Sequence, residues 1–467
     1  MVLLDTTVVN LALPSIQHGL HASGPQVEWV LNAYVLSFGG LMLLGGRTAD
    51  QWGRRRTLFA GVIGFSLASL ACGLAPNGGA LIAARAVQGC MAALLTPSAL
   101  SLITTSAANR RERNLALAVW SALSGLGATL GLVIGGFLTE ALSWRWIFYI
   151  NVPIGVITLA GVLVLAAPDR RPDRAGRPDA LGALLVTGGL TTIVLATINA
   201  QSDGWGSVAV LTPLLAGVAA LAGFILLENH VPDPLVPLRL FRTRSMVYSS
   251  IGRVLTAGVQ SASMVLASFY LQRTLLYSPL RAGVAFLPLG VVAVAVAVVI
   301  PKIMRRAGPG NVYLAGAVAS AAAMAWLAWD HAGGGSYAAY ILPAVLVFGV
   351  GMQATTIPVN VAGIGDLPPE RHGLGSGVLN ASFQVGFALG VAVVASSALT
   401  RVQNELAIGK AATVAWSDGL RAGFVVGTVI ALLNVVNAAV GFPRRAEAAA
   451  VREGRTAAGG EAVTAAD

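Results

Sequence analysis

The sequence predicts an all-α integral membrane fold of fourteen transmembrane helices, built as two six-helix bundles with an inserted helix pair. Three observations predict it. Of 467 residues, 56% are apolar and only 11% charged, whereas a soluble domain carries roughly a quarter charged residues. The 55 glycines suit helices that pack closely in lipid. Finally, apolar runs able to cross about 30 Å of hydrocarbon recur along the whole chain. They lie near 1–16, 27–46, 57–75, 80–105, 114–139, 146–167, 180–200, 208–228, 246–272, 280–301, 311–329, 337–364, 374–400 and 419–442.

The net charge of +10 has two readings. A nucleic-acid binder would cluster Lys and Arg on a polar domain, and none is present. Here the basic residues occupy short loops between apolar runs. With the amino terminus inside, the inner loops hold 22 of them against 6 outside. The inner set includes Arg47, Arg54 to Arg56, Arg110, Arg111, Arg113, Arg170, Arg171, Arg174 and Arg177. That asymmetry puts both termini in the cytoplasm, and Trp29, Trp144, Trp146, Trp205 and Trp416 then form an outer interfacial belt. The bias of 28 Arg to 2 Lys hints at a GC-rich bacterial genome, so the expected location is the bacterial inner membrane, as a multi-pass protein.

Helix 1 is shorter than the usual minimum of roughly 17 residues. Two expectations are open: it spans a thinned patch, or coding sequence continues upstream of Met1. Residues 1–167 form the first bundle, 168–245 the inserted pair with flanking cytoplasmic loops, 246–442 the second bundle, and 443–467 a polar, disordered tail. A basic, Gly-containing segment follows the second helix of each six-helix block, GRTADQWGRRR from Gly46 and PKIMRRAGPG from Pro301. Parallel repeats of this kind are a known way of building transporters. Cys72 and Cys90 lie in apolar runs without CxxC spacing and read as small buried hydrophobes.

Several segments carry chemistry. In Gly46 to Arg56, two glycines flank Asp50 among arginines. The glycines allow tight turns, and the carboxylate can accept from Arg or sit at a helix amino terminus. In LDTTVVNLALP, Asp5 and Asn10 interrupt an apolar run, and an intramembrane carboxylate is by default functional. In LIAARAVQGCMAA, Arg85 is a buried charge or one that snorkels outward. Gly127, Gly131 and Gly135, followed by Gly136, make a smooth packing stripe. WRWIFYINVPIG, SPLRAGVAFLPLG and GLGSGVLNASFQVGFALGVA complete the set.

Together these segments resemble the major facilitator superfamily, specifically its fourteen-helix drug/proton antiporter branch. The resemblance touches both halves of the chain. It implies a cytoplasmic latch at Gly46, Asp50, Gly53, Arg54 and Arg55, and proton coupling at Asp5 and Arg85. It departs from the family at Thr48, Gln51, Leu132 (in place of the antiporter-motif proline) and Phe383 (in place of a common Arg).

The five histidines, His18, His21, His230, His331 and His372, are expected in loops, which leaves Asp5 as the acid inside a span. Arg253 is a further charge within a helix, either facing the cavity or snorkelling inward. The substrate cavity is expected at the midplane between the bundles, with Asn10, Asn32, Tyr34, Trp120, Gln353, Asn380 and Gln384 as lining candidates. Gln260, Asn360, Phe383 and Phe387 are further candidates, and interhelical bonding is the competing role for the polar ones. No GxxxxGK[ST] loop is present, which argues against ATP-driven transport. No catalytic residue, metal site or cofactor is expected. The expected partners are a small-molecule substrate, protons and the lipid bilayer, without nucleic acid, in a monomer. The function read from this is export of small amphipathic drugs or antibiotics in exchange for protons. The rivals are a metabolite or siderophore transporter and, from another class, a membrane enzyme or sensor.

Overall fold

A computed structural model describes residues 1–106, 112, 127, 131–165, 179–204, 206–231, 234–236, 238–329, 336–367 and 372–442. The expectations for Trp120, Trp205, His331, the basic segments 107–111 and 166–178, and the tail from 443 fall outside the described residues.

Fourteen helices order the described chain. They are α1 (Val2–Leu20), α2 (Gly24–Trp52), α3 (Arg54–Leu74), α4 (Gly78–Ser106), α5 (Gly131–Ala141) and α6 (Trp146–Val164). Next come α7 (Ala180–Asp203), α8 (Val208–Glu228), α9 (Arg244–Thr274) and α10 (Pro279–Ala307). The last are α11 (Pro309–Ala328), α12 (Tyr337–Gly365), α13 (His372–Ala407) and α14 (Ala412–Gly441). Eleven of them, α3, α4 and α6 to α14, are long and apolar enough to cross a membrane. α1 and α2 carry Asp5, Asn10, Glu28 and Asn32. All four of those side chains are buried within the protein, which keeps their polar groups away from lipid.

Within the first group, α2 packs on α4 and α3 on α4 and α6. In the second, α9 packs on α13 and α14, and α11 on α12 and α14. The pair α7–α8 packs on itself, and α7 also touches α2 and α13, one helix from each bundle. Small residues allow these approaches: a Cβ on Gly386 would meet the Val254 backbone of α9.

Three local expectations are corrected. α1 runs past residue 16 to Leu20, so His18 lies in its last turn, and His372 opens α13. The GRTADQWGRRR segment is helical on both sides of one residue. Gly46 lies inside α2, and the turn is Gly53 alone, at φ 101° and ψ 139°. Gly46 is therefore no turn glycine; the nearest contact for a Cβ there is Pro97, at 3.8 Å. The equivalent junction between α10 and α11 is Gly308, at φ 85° and ψ 151°. Both blocks thus turn at this point on one glycine in nearly the same left-handed conformation, which side chains disfavour.

Candidate functional site

Asp5 stands in the first turn of α1 with no exposed surface. An ionised carboxylate there needs donors from its neighbours, and two helices supply them. Arg85 Nη1 of α4 donates to Oδ2 at 2.5 Å, also closing an ion pair. Gln88 Nε2 of α4 and Asn151 Nδ2 of α6 each donate to Oδ1 at 3.0 Å. Ser69 Oγ of α3 accepts from the same two amides, at 2.5 Å and 3.1 Å. Arg85 and Gln88 act together because an i, i+3 spacing puts them on one helix face.

Arg85 is as deeply buried as Asp5, so it does not snorkel. Its Nε donates to the Val30 carbonyl of α2 at 3.0 Å, and its Nη1 also donates to Gln88 Oε1 at 2.6 Å. The guanidinium lies 4.1 Å from the Tyr34 ring centroid and 5.8 Å from that of Phe148. The result is a closed charge network across α1, α2, α3, α4 and α6. Arg85 sits about two turns into α4 and Ser69 about one and a half turns before the end of α3. On the charge-bias orientation this places the network toward the outer side.

Sequence reasoning brought Asp5 and Arg85 forward from two separate helices; the structure puts them in contact. It missed Ser69, Val30 and Asn151 as members. Asn151 lies in the WRWIFYINVPIG segment, where it is one polar residue among aromatic and aliphatic side chains. Ser69 gave no signal, being one small hydroxyl in an apolar helix.

The other candidates divide. Asn10 and Asn32 are buried, and Asn10 Oδ1 and both Asn32 amide atoms have no partner among the described residues. Asn10 lies at the seam between the bundles, its carbonyl accepting from Ser268 Oγ of α9 at 3.2 Å. Tyr34 covers the Arg85 guanidinium with its ring. Gln353 spends its amide on the Ala293 carbonyl, bridging α12 to α10 at 3.1 Å. Gln384 of α13 crosses the seam to pack on Gly39 of α2, and Asn380 is half-buried one turn earlier. Trp120 and the Asp50 side chain lie outside the described residues.

Among the latch residues, Arg55 Nη2 donates to the Leu163 carbonyl of α6 at 3.1 Å. Neighbouring Arg47 reaches the Pro234 carbonyl between α8 and α9. In the glycine stripe, a Cβ on Gly131 would meet Thr7 and Leu4 of α1, one on Gly135 would meet Val8 of α1, and one on Gly136 the Pro279 carbonyl of α10. Gly127 has no neighbour within 4 Å among the described residues.

The seam holds further contacts, several of them near helix ends. Gln272 donates to the Leu11 carbonyl at 3.1 Å. Arg273 Nη2 donates to Gln17 Oε1 at 2.8 Å, and its Nη1 meets His18 Nε2 at 3.2 Å. Ser396 Oγ of α13 bonds Glu28 of α2 at 3.4 Å. Gly283 of α10 lies against the Leu132 carbonyl of α5.

Comparison with known proteins agrees with this architecture. Residues 1–391 match the family model described as Major Facilitator Superfamily. The chain is 40% identical over 459 residues to the puromycin resistance protein of Streptomyces alboniger, covering 96% of this chain and 90% of that one. It is 37% identical over 398 residues to the cephamycin export protein of Amycolatopsis lactamdurans, covering 84% and 81%. In structure it resembles a peptide transporter, with a TM-score of 0.67 at 15% identity, covering 93% and 92%. It also resembles a nucleoside transporter, with a TM-score of 0.62 at 11% identity, covering 94% and 98%.

Proposed function

We propose a function from one premise: the chain belongs to the Major Facilitator Superfamily, a family of transporters rather than enzymes. It is a multi-pass membrane transporter related to antibiotic export and resistance proteins. On our reading it exports small amphipathic drugs or antibiotics in exchange for protons. The observation that carries the reading is the sealed Asp5–Arg85 pair. A proton and the guanidinium compete for the same carboxylate oxygens. Loading a proton from outside would free Arg85 and loosen the network that ties α1 to α4 and α6. Releasing it inside would re-form the pair. Because α1 also contributes Asn10 and the Leu11 carbonyl to the seam, its movement couples the proton to the cavity where substrate binds. Alternating access of this kind lets a proton gradient drive the cargo.

On the same reading, residues 1–167 and 246–442 move against each other. Within segment 168–245, α7 packs on one helix of each, α2 and α13, and Gly53, Arg54 and Arg55 hold the cytoplasmic ends of the first bundle. The test is inverted membrane vesicles energised by an imposed pH gradient and offered a panel of drugs. Drug uptake that collapses a proton gradient supports antiport; uptake indifferent to the gradient overturns it.

A further inference from the structure

We propose that Arg253 is an anion-binding residue of the substrate site, and that the cargo includes amphipathic compounds carrying a carboxylate or a similar anionic oxygen. This deepens the export reading above and rests on it.

Two arginines are buried in the described spans in very different company. Arg85 is neutralised by Asp5. Arg253, in the third turn of α9, is 5% exposed and has no carboxylate partner among the described residues. Its Nε makes a long contact of 3.4 Å with the Leu379 carbonyl, and its guanidinium lies 4.5 Å from the Phe383 ring centroid. Among the described residues Nη1 has no partner, and neither have the hydroxyls of Ser249 and Ser250, about one turn earlier on α9. A carbonyl and a ring face solvate part of a cation but supply no full counter-charge, and a buried charge lacking one is costly. Hydrophobic packing would fill this position at less cost, so the arrangement calls for an anion that comes and goes.

The position is next to the seam. Phe383, the ring beneath the guanidinium, is half-buried, as is each α13 residue from Asn380 to Val385. Its neighbour Gln384 packs on Gly39 of α2, in the other bundle. The guanidinium therefore sits one residue away from the contact between the two moving halves. With Nε and one face occupied, the Nη1 edge is left to donate to an anionic oxygen, a geometry that guanidinium suits. Phe383 and Phe387, with centroids 6.2 Å apart, offer an apolar wall for the rest of the molecule. A cationic substrate would be repelled here; its natural partner would be Glu28, bonded by Ser396 nearer the other end of α2.

The test uses the full-length protein in proteoliposomes with three probes: a fluorescent naphthalene carboxylate, its methyl ester and a quaternary ammonium analogue. The wild type should bind the carboxylate about tenfold tighter than the ester. Arg253→Gln should lose that margin with ester binding unchanged, and Arg253→Lys should keep part of it. Equal binding of carboxylate and ester, equal loss of both in Arg253→Gln, or preference for the ammonium probe would overturn the proposal. If Arg253→Gln does not fold, the wild-type ranking of the three probes decides. The outcomes separate the two readings: ester export driven by a pH gradient without a carboxylate margin sinks this proposal alone. No gradient-driven movement of any probe sinks the export reading.

Discussion

The Asp5 carboxylate and the Arg85 guanidinium meet at 2.5 Å with neither side chain exposed. Removing one charge leaves the other buried and unpaired, at about 3–5 kcal/mol. Asp5→Asn should therefore lower thermal stability in detergent and abolish proton-driven export while drug binding stays measurable. The double variant Asp5→Asn with Arg85→Gln restores neutrality. It should recover most of the lost stability and none of the proton-driven export. Drug-induced proton movement in vesicles, read beside a melting curve, checks both. Normal exchange in Asp5→Asn would remove Asp5 from the coupling step.

Asn151 is held to Asp5 and Ser69 by one amide nitrogen. Asn151→Ala keeps the ion pair but removes a donor from a sealed carboxylate, at about 1–3 kcal/mol. The expected outcome is reduced stability with proton coupling retained. Coupling lost as completely as in Asp5→Asn would make Asn151 a direct participant.

Much of this was legible in the sequence. Composition and apolar run length gave the membrane fold, because lipid tolerates so little charge. Asp5 and Arg85 stood out for the same reason. What stayed hidden was depth. The spacing of Asp5 from Met1 says nothing of which helices surround it, and only the packing of α1 against α4 and α6 brings it to Arg85. Neutral partners such as Ser69 are invisible because a hydroxyl in a membrane helix usually bonds its own backbone, as Thr158 does to the Ile154 carbonyl. The second bundle sharpens the point. At the first, third and sixth helices of its block it places Thr256, Tyr313 and Asn434, joined by hydrogen bonds. This is a neutral network at the helix positions where the first bundle holds Asp5, Ser69 and Asn151.

Gly53 and Gly308 share a left-handed turn while Gly46 is an ordinary helical residue with room for a methyl group. Gly53→Ala and Gly308→Ala should each cost about 1–3 kcal/mol through backbone strain, and Gly46→Ala should be near neutral. Melting temperatures of the three variants check this. A Gly46→Ala loss as large as that of Gly53→Ala would show that the latch depends on more than the turn. If the latch sets conformational populations, Gly53→Ala should also lower turnover more than drug affinity.

Arg273 joins α9 to α1, near the ends that the charge bias places outside, through Gln17 and His18, with the Trp416 ring of α14 at 5.3 Å from its guanidinium carbon. These contacts exist only while the outer seam is closed, so they weight the equilibrium toward that state. Because His18 is exposed, its share is that of a surface contact, and the whole set is worth about 1 kcal/mol, or roughly a fivefold change in population. Arg273→Gln should therefore raise outer opening by about that factor. Ser268, buried where it donates to the Asn10 carbonyl, reports on the opening. With Cys72 and Cys90 replaced by Ala and Ser268 by Cys, a membrane-impermeant thiol reagent applied from outside should label the Arg273→Gln protein several-fold faster than its parent. Equal labelling rates would mean that the Gln272–Leu11 and Glu28–Ser396 contacts hold the outer seam closed without Arg273.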